Sequence, residues 1–330
     1  ILNSIHTFAN DPSRGLYILS FLFILILMSI LIFFFNQNKI SNTAKENFIL
    51  SKETAILVNN WFMMFFLSVV LVGTIYPIFL EVLNGSKISV GPPFYHNLLI
   101  PFLIPFLIFM SFGPSLKWIK DKLKKFNYNI LIIFLVSLLI SYVILTKTEN
   151  SFLLSIPLIV LSIYLLLVTI KDFFVSKSSI SQKISHFGFS LLILSILFNN
   201  IFSNEIITNL KIGETFETEK FTINFENIEQ EDEKNFKAII GKFNVQNLDG
   251  SSDILNPELR IYNQPNIITS EADIKTNLLT DKFMTMNYVQ NQEYFNVRYQ
   301  VKPFMIWIWI SVLLITFGGS LSFFNKRYEI

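Results

Sequence analysis

Long apolar runs alternate with short polar segments along most of the chain, and one hydrophilic stretch of about a hundred residues comes before the last run. The runs cover residues 16–35, 55–83, 97–112, 128–145, 152–170, 184–202 and 304–324. A mostly apolar, uncharged stretch of roughly 18 residues or more crosses the hydrocarbon core of a bilayer as a helix. The pattern therefore predicts a polytopic α-helical membrane protein with about seven transmembrane helices. The third run is short and carries Pro101 and Pro105, so a kinked or partly interfacial helix is expected there.

The hydrophilic stretch has a different period. Lys220-Phe-Thr-Ile-Asn-Phe-Glu226 alternates apolar and polar residues, as do Tyr294-Phe-Asn-Val-Arg-Tyr-Gln-Val301 and the neighbourhood of 236–245. A period of two reads as half-buried strands. Lys211-Ile-Gly-Glu-Thr-Phe216 reads as a turn into a strand, and Leu248-Asp-Gly-Ser251 as a turn between strands. The expected organisation is a six-helix membrane bundle over 1–203, a mostly-β soluble domain over 204–303, and a last transmembrane helix with a short tail over 304–330.

Composition agrees with a membrane protein: 52% of residues are hydrophobic and 15% charged. With no cysteine, disulfides, thiolate metal sites and a cysteine nucleophile are excluded for this chain. Heavy use of Phe, Ile, Leu, Asn and Lys with little Gly points to an AT-rich, organellar type of gene. Charge sets the orientation. The segments 36–54, 113–127, 171–183 and the tail carry thirteen lysines and arginines, whereas the opposite side has only Arg14, Lys87 and Lys147 outside the long loop. Basic residues stay on the side from which a protein is not translocated. The N-terminus and the β domain are thus expected to face outward, to the intermembrane space or periplasm. The β domain carries sixteen acids and ten bases, which reads as a solvated β-surface.

Candidate chemistry is sparse. Phosphate loops, zinc spacings and a Ser-His-Asp arrangement are missing, and Glu81 sits near a helix end where water reaches it. Three histidines remain. His6 precedes the first helix on the outer side, His186 opens the sixth helix at the inner side, and His96 lies beside aromatics in an outer loop, where it reads as interfacial. From the residues alone His6 and His186 have two readings: a hydrogen-bonded residue at the membrane edge, or a neutral imidazole ligand for haem iron. They lie at opposite faces of a bilayer roughly 30 Å thick, so they cannot share one iron. Arg14 reads as a helix-end anchor at the membrane surface.

Ser4-Ile-His-Thr-Phe-Ala-Asn-Asp-Pro-Ser-Arg-Gly15 ahead of a hydrophobic helix resembles the CcmF family, the membrane haem lyase of the maturation system for c-type cytochromes. The resemblance continues in order through Ser51-Lys-Glu-Thr-Ala55 with Asn59-Asn60, Gly73-Thr-Ile-Tyr-Pro77 with Glu81, and Ser89-Val-Gly-Pro-Pro-Phe94. It goes on through Gly113-Pro114 with Trp118, His186-Phe-Gly188 and Thr269-Ser-Glu-Ala272. Lys302-Pro-Phe-Met-Ile-Trp-Ile-Trp309 with Gly318-Gly319 and Arg327-Tyr328 completes it.

The resemblance covers the C-terminal half of a full-length member. It implies a split protein or a piece of a longer one, with the family's tryptophan-rich WWD segment and two further haem-ligand histidines on the other half. It also implies that His6 is an outward-facing ligand for the haem to be attached, and that His186 is a ligand of a separate, resident b-type haem. The implied activity is that of a cytochrome c haem lyase, forming thioethers as part of a complex and inactive as an isolated chain. No catalytic residue is identified beyond these ligands. The implied partners are the polypeptide carrying the N-terminal half, a haem chaperone, apocytochrome c and membrane lipid, with no nucleic acid. The implied location is the mitochondrial inner membrane or a bacterial inner membrane. The alternative reading is a haem-free structural or assembly subunit, a degenerate relative of the lyase.

Overall fold

The computed structural model describes residues 12–36, 51–84, 88–117, 128–146, 155–176, 178–247, 250–264, 267–289 and 293–324. The chain forms two compact units, Ile1–Phe48 and Ile49–Ile330. The first contains helix α1 (Pro12–Asn36), which opens on a proline and is apolar over Ser20–Asn36.

Among the described residues the second unit holds six helices long and apolar enough to cross a membrane. They are α2 (Lys52–Asn84), α3 (Pro92–Phe112), α4 (Tyr128–Leu145), α5 (Ser155–Val175), α6 (Ile180–Phe202) and α7 (Met305–Phe324). With α1 this makes the six or seven apolar helices that the hydropathy pattern predicts. The third run differs from expectation. It is a helix of 21 residues whose two prolines, Pro101 and Pro105, lie inside it, and whose first turn is Pro92-Pro-Phe-Tyr. Proline is tolerated in a first turn, where its missing N–H has no intrahelical partner. The extra turn makes α3 long enough to span. It also moves His96 from the expected loop onto the helix, where it is exposed.

Backbone and hydroxyl contacts tie the bundle together at its two ends. At one end, Lys52 N donates to Lys117 O across 2.8 Å, joining the start of α2 to the segment after α3. Ser51 Oγ caps α2 by accepting from Thr54 N at 3.1 Å, and Ser179 Oγ caps α6 by accepting from Gln182 N at 3.3 Å. Phe62, Phe106, Leu107, Leu158 and Leu165 form the buried centre between α2, α3 and α5. Small residues bring the last helices close. Thr169 and Ser190 share a hydrogen bond of 2.9 Å between α5 and α6, and Ser181 Oγ donates to Gly318 O at 2.7 Å between α6 and α7.

At the other end the chain passes directly from α6 into the β domain. Among the described residues ten antiparallel strands form two sheets. One runs in the order β1 (Asn204–Leu210), β10 (Phe295–Pro303), β9 (Thr280–Tyr288), β8 (Asp273–Thr276). The other runs β2 (Thr215–Glu217), β3 (Phe221–Asp232), β4 (Phe236–Asn247), β6 (Glu258–Tyr262), β7 (Ile267–Glu271), with β5 (Ser252–Leu255) paired to β4. Inward residues of both sheets, among them Phe225, Phe243, Leu255, Met284 and Val297, make one buried core, so the domain is a β-sandwich. The return to the bundle is fixed at Phe304, whose φ of 61° lies in the left-handed region. Such a bulky residue holds that conformation only when its surroundings over-determine it. Here Phe304 N donates to Leu279 O at 2.7 Å, Asn199 Nδ2 donates to Pro303 O at 2.7 Å, and Trp307 Nε1 donates to Leu278 O at 2.8 Å.

A carboxylate links the two sheets. Lys275 and Lys282 stand directly opposite each other on β8 and β9, a repulsive pairing. Asp253 on β5 sits between them, 2.9 Å from Lys275 Nζ and hydrogen-bonded to Lys282. Burial pushes the Asp253 carboxyl up, but the hydrogen bonds and charges of Lys282 and Lys275 outweigh this and hold it below the usual carboxylate range. A depressed folded value stabilises the fold above the unfolded value and ceases to do so as pH falls through the folded one. Asp253→Asn is therefore expected to cost about 2 kcal/mol at neutral pH, less than a fully buried pair because Lys275 is half exposed. The loss of stability between about pH 5 and pH 3 should also be shallower than in the parent. Thermal unfolding followed over that range checks both, and parallel profiles would remove Asp253 from the explanation.

Candidate functional site

His186 sits in the second turn of α6 and is half-buried. Sixteen residues separate it from Phe202, where α6 meets the sandwich, which at 1.5 Å per residue is about 24 Å of helix. His186 therefore lies at the end of the bundle opposite the β domain. It lines a pocket of about 420 Å³ bounded by the start of α2, the last turns of α3 and the 3-10 turn Gly113–Ser115. Lys52, Ala55, Asn59, Gly113 and Pro114, which come from separate sequence motifs, converge there with it.

The walls are mainly aliphatic and aromatic, with Phe106, Phe109 and Met110 contributed by α3. Ile56 and Phe109 are themselves exposed, so the pocket opens on the flank of the bundle. Its polar groups are few and of different kinds: an imidazole, the amides of Asn59 and Gln182, and the Lys52 ammonium. Few polar groups in an apolar pocket suit a large, mostly apolar ligand fixed at one or two points. The donor set, one imidazole among mostly apolar side chains, would suit a haem held through His186. A second, much smaller cavity, about 20 Å³, also has His186 in its wall, together with Asp172 and Thr169 of α5 and Lys183 of α6.

The rotation of His186 is set by the opposite face of α6. A Cβ on Gly188 would lie 3.0 Å from Ile315 N, and one on Gly318 would lie 2.7 Å from Ser185 N. Both glycines let α7 approach the backbone of α6 closely, on either side of His186 in the sequence.

His6 lies outside the described residues. The side chains of Arg14 and Glu81 also lie outside what is described. His96, just past the first turn of α3, lies at the opposite end of that helix from Gly113 and is not brought to His186. Sequence reasoning did not single out Asp172 or Gln182. Asp172 lay within a lysine-rich segment that reads as a surface loop, and only the packing of α5 on α6 brings it to the histidine.

Residues 201–303 match the family model described as the CcmF C-terminal beta-sandwich. Over its whole length the chain is 29% identical to the cytochrome c-type biogenesis protein CcmF of Haemophilus influenzae, covering 53% of that protein. It is 27% identical to the protein of that name from Escherichia coli, covering 52% of it. The chain matches the C-terminal part of CcmF. It spans about half the length of the relatives it matches. A solved structure of a protein described as cytochrome c heme lyase CcmF superposes with a TM-score of 0.64 at 19% identity, over 83% of this chain and 46% of that one. At that identity the likeness is one of fold, and it extends over helices and sandwich together.

Proposed function

We propose that this chain is the C-terminal part of a membrane assembly that attaches haem covalently to apocytochrome c. In this reading His186 would hold a b-type haem at the pocket lined by α2, α3 and α6. His6, ahead of α1, supplies one ligand to the haem being transferred. The pocket at His186 carries the proposal: it joins an imidazole to an apolar wall and opens sideways, where a second polypeptide can complete it. The chain spans about half the length of its relatives, and the resemblance puts the opposite ligands on the N-terminal half.

A b-type haem, when bound, supplies a one-electron couple within the membrane. The chain's own part is to hold and orient. His186 offers a nitrogen lone pair at a position fixed by α7, Phe106 and Phe109 exclude water, and Lys52 offers a cation to a carboxylate at the rim. The charge rule supports an inward His186 end and an outward β domain, where a haem chaperone and apocytochrome would reach it. The relatives are bacterial, and the AT-rich residue usage supports the mitochondrial inner membrane for this chain.

The test is a reduced-minus-oxidised absorption spectrum of the native complex, compared with that of His186→Ala. The parent is expected to show a b-type band that disappears in the variant. A complex without haem, or a band indifferent to the substitution, supports the haem-free assembly subunit instead.

A further inference from the structure

We propose that Asp172 on α5 is a positioning residue for His186, acting through one water molecule held in the small cavity between them. The inference rests on the reading of His186 as an axial ligand and adds to it the group that sets its tautomer and basicity.

A neutral imidazole has one nitrogen with a lone pair and one that carries a proton. If the lone pair faces the open pocket, the N–H must find an acceptor elsewhere, because a buried donor without one costs free energy. His186 also borders the cavity of about 20 Å³ on the α5 side. That volume is enough for about one water, which needs two to four polar partners. The surrounding groups are mostly committed already. Thr169 Oγ1 donates to Leu166 O at 2.8 Å and shares a hydrogen bond with Ser190, Ser176 Oγ donates to Ser178 Oγ at 3.1 Å, and Lys183 Nζ donates to Phe173 O at 3.0 Å.

Asp172 supplies the strongest acceptor around the cavity, and it lies within electrostatic reach of the imidazole. The bond from Lys183 to Phe173 O clamps the last turn of α5 to α6, which holds the carboxylate in register with the histidine. Asp172 stands in the last turns of α5, beside Lys171 and close to Lys183. A carboxylate behind a metal-binding histidine fixes the ring and raises its donor strength, and removing such a partner typically lowers metal affinity about 10–100-fold.

The experiment uses the purified native complex carrying Asp172→Asn, Asp172→Glu or His186→Ala, and reads haem content and the midpoint potential of the b-type band. Asp172→Asn keeps size and polarity, so the fold should survive, as a melting curve in the same detergent checks. The expected result is a higher potential and haem retention reduced by about tenfold or more, both partly restored in Asp172→Glu. An unchanged potential and haem content in Asp172→Asn, while His186→Ala removes the band, overturns the role of Asp172 and leaves the ligand reading standing. A band that survives His186→Ala overturns both. A shift in Asp172→Asn that Asp172→Glu does not reverse also goes against the proposal, because it shows a general disturbance of the helix end.

Discussion

Gly318→Val is expected to loosen α7 from α6 and to cost about 2–4 kcal/mol, the sum of an overpacked contact and a lost interhelical hydrogen bond. A Cβ at this position would collide with Ser185 Oγ and lie 2.7 Å from Ser185 N. The hydroxyl can rotate away, but the backbone nitrogen cannot, so the helices must separate. Separation also strains the bond from Ser181 Oγ to Gly318 O. The next residue is an internal control. A Cβ on Gly319 meets nothing within 4 Å, so Gly319→Ala should be neutral or gain up to about 1 kcal/mol from helix propensity. Thermal unfolding in detergent distinguishes the pair. Equal melting temperatures would refute the close-packing account. Because Ser185 precedes His186, the valine variant should, on the proposed reading of His186 as a haem ligand, also lower haem content, and the alanine variant should not.

The second large effect lies in the sandwich. Phe225 and Phe243 are opposite one another on β3 and β4, their rings stacked at 4.2 Å and 14°, and neither is exposed. Phe243→Ala removes most of a buried ring from the centre of the core and is expected to cost about 3–5 kcal/mol. A domain of this size has about 5–15 kcal/mol in total, so roughly a fifth or more of its stability goes. Phe243→Leu should fall between the two, and Ile268→Ala, at an exposed position, should cost almost nothing. Limited proteolysis of the β domain across temperature gives the ranking, and a ranking that puts Ile268 level with Phe243 would contradict the core assignment.

The helices were readable because a bilayer imposes one rule, an apolar length, that needs no knowledge of neighbours. The rule misjudged α3, where Pro92-Pro-Phe-Tyr looked like a loop and is instead a first turn. Strands were readable where alternation was clean. The pattern from Lys220 fixed the start of β3 but not its continuation, because a bulge between Phe225 and Asn227 adds a residue and reverses which positions face inward. Strands β5 to β8 are four or five residues long, too short for a period to establish itself. The turns were plainer: Gly213 and Gly250, both singled out by their surroundings, have φ of 83° and 80°. The resemblance, more than the pattern, drew attention to His186. Its pocket could not be read at all, since Lys52, Phe109, Gly113 and Gln182 meet only through the packing of three helices.

The strands that open and close the sandwich, β1 and β10, are paired neighbours, with Asn204 opposite Val301. The chain leaves the membrane and re-enters it at almost the same point. Closing a flexible loop of about a hundred residues to bring α7 onto α6 costs roughly 4 kcal/mol of chain entropy. A folded sandwich has already met that cost, because its own hydrogen bonds hold the two ends together. Assembly then has a natural order: the sandwich forms first, α7 inserts beside α6 as a tethered neighbour, and only at that point is the backbone around His186 locked. A lesion in the soluble domain should therefore reach the far side of the membrane without touching any residue there.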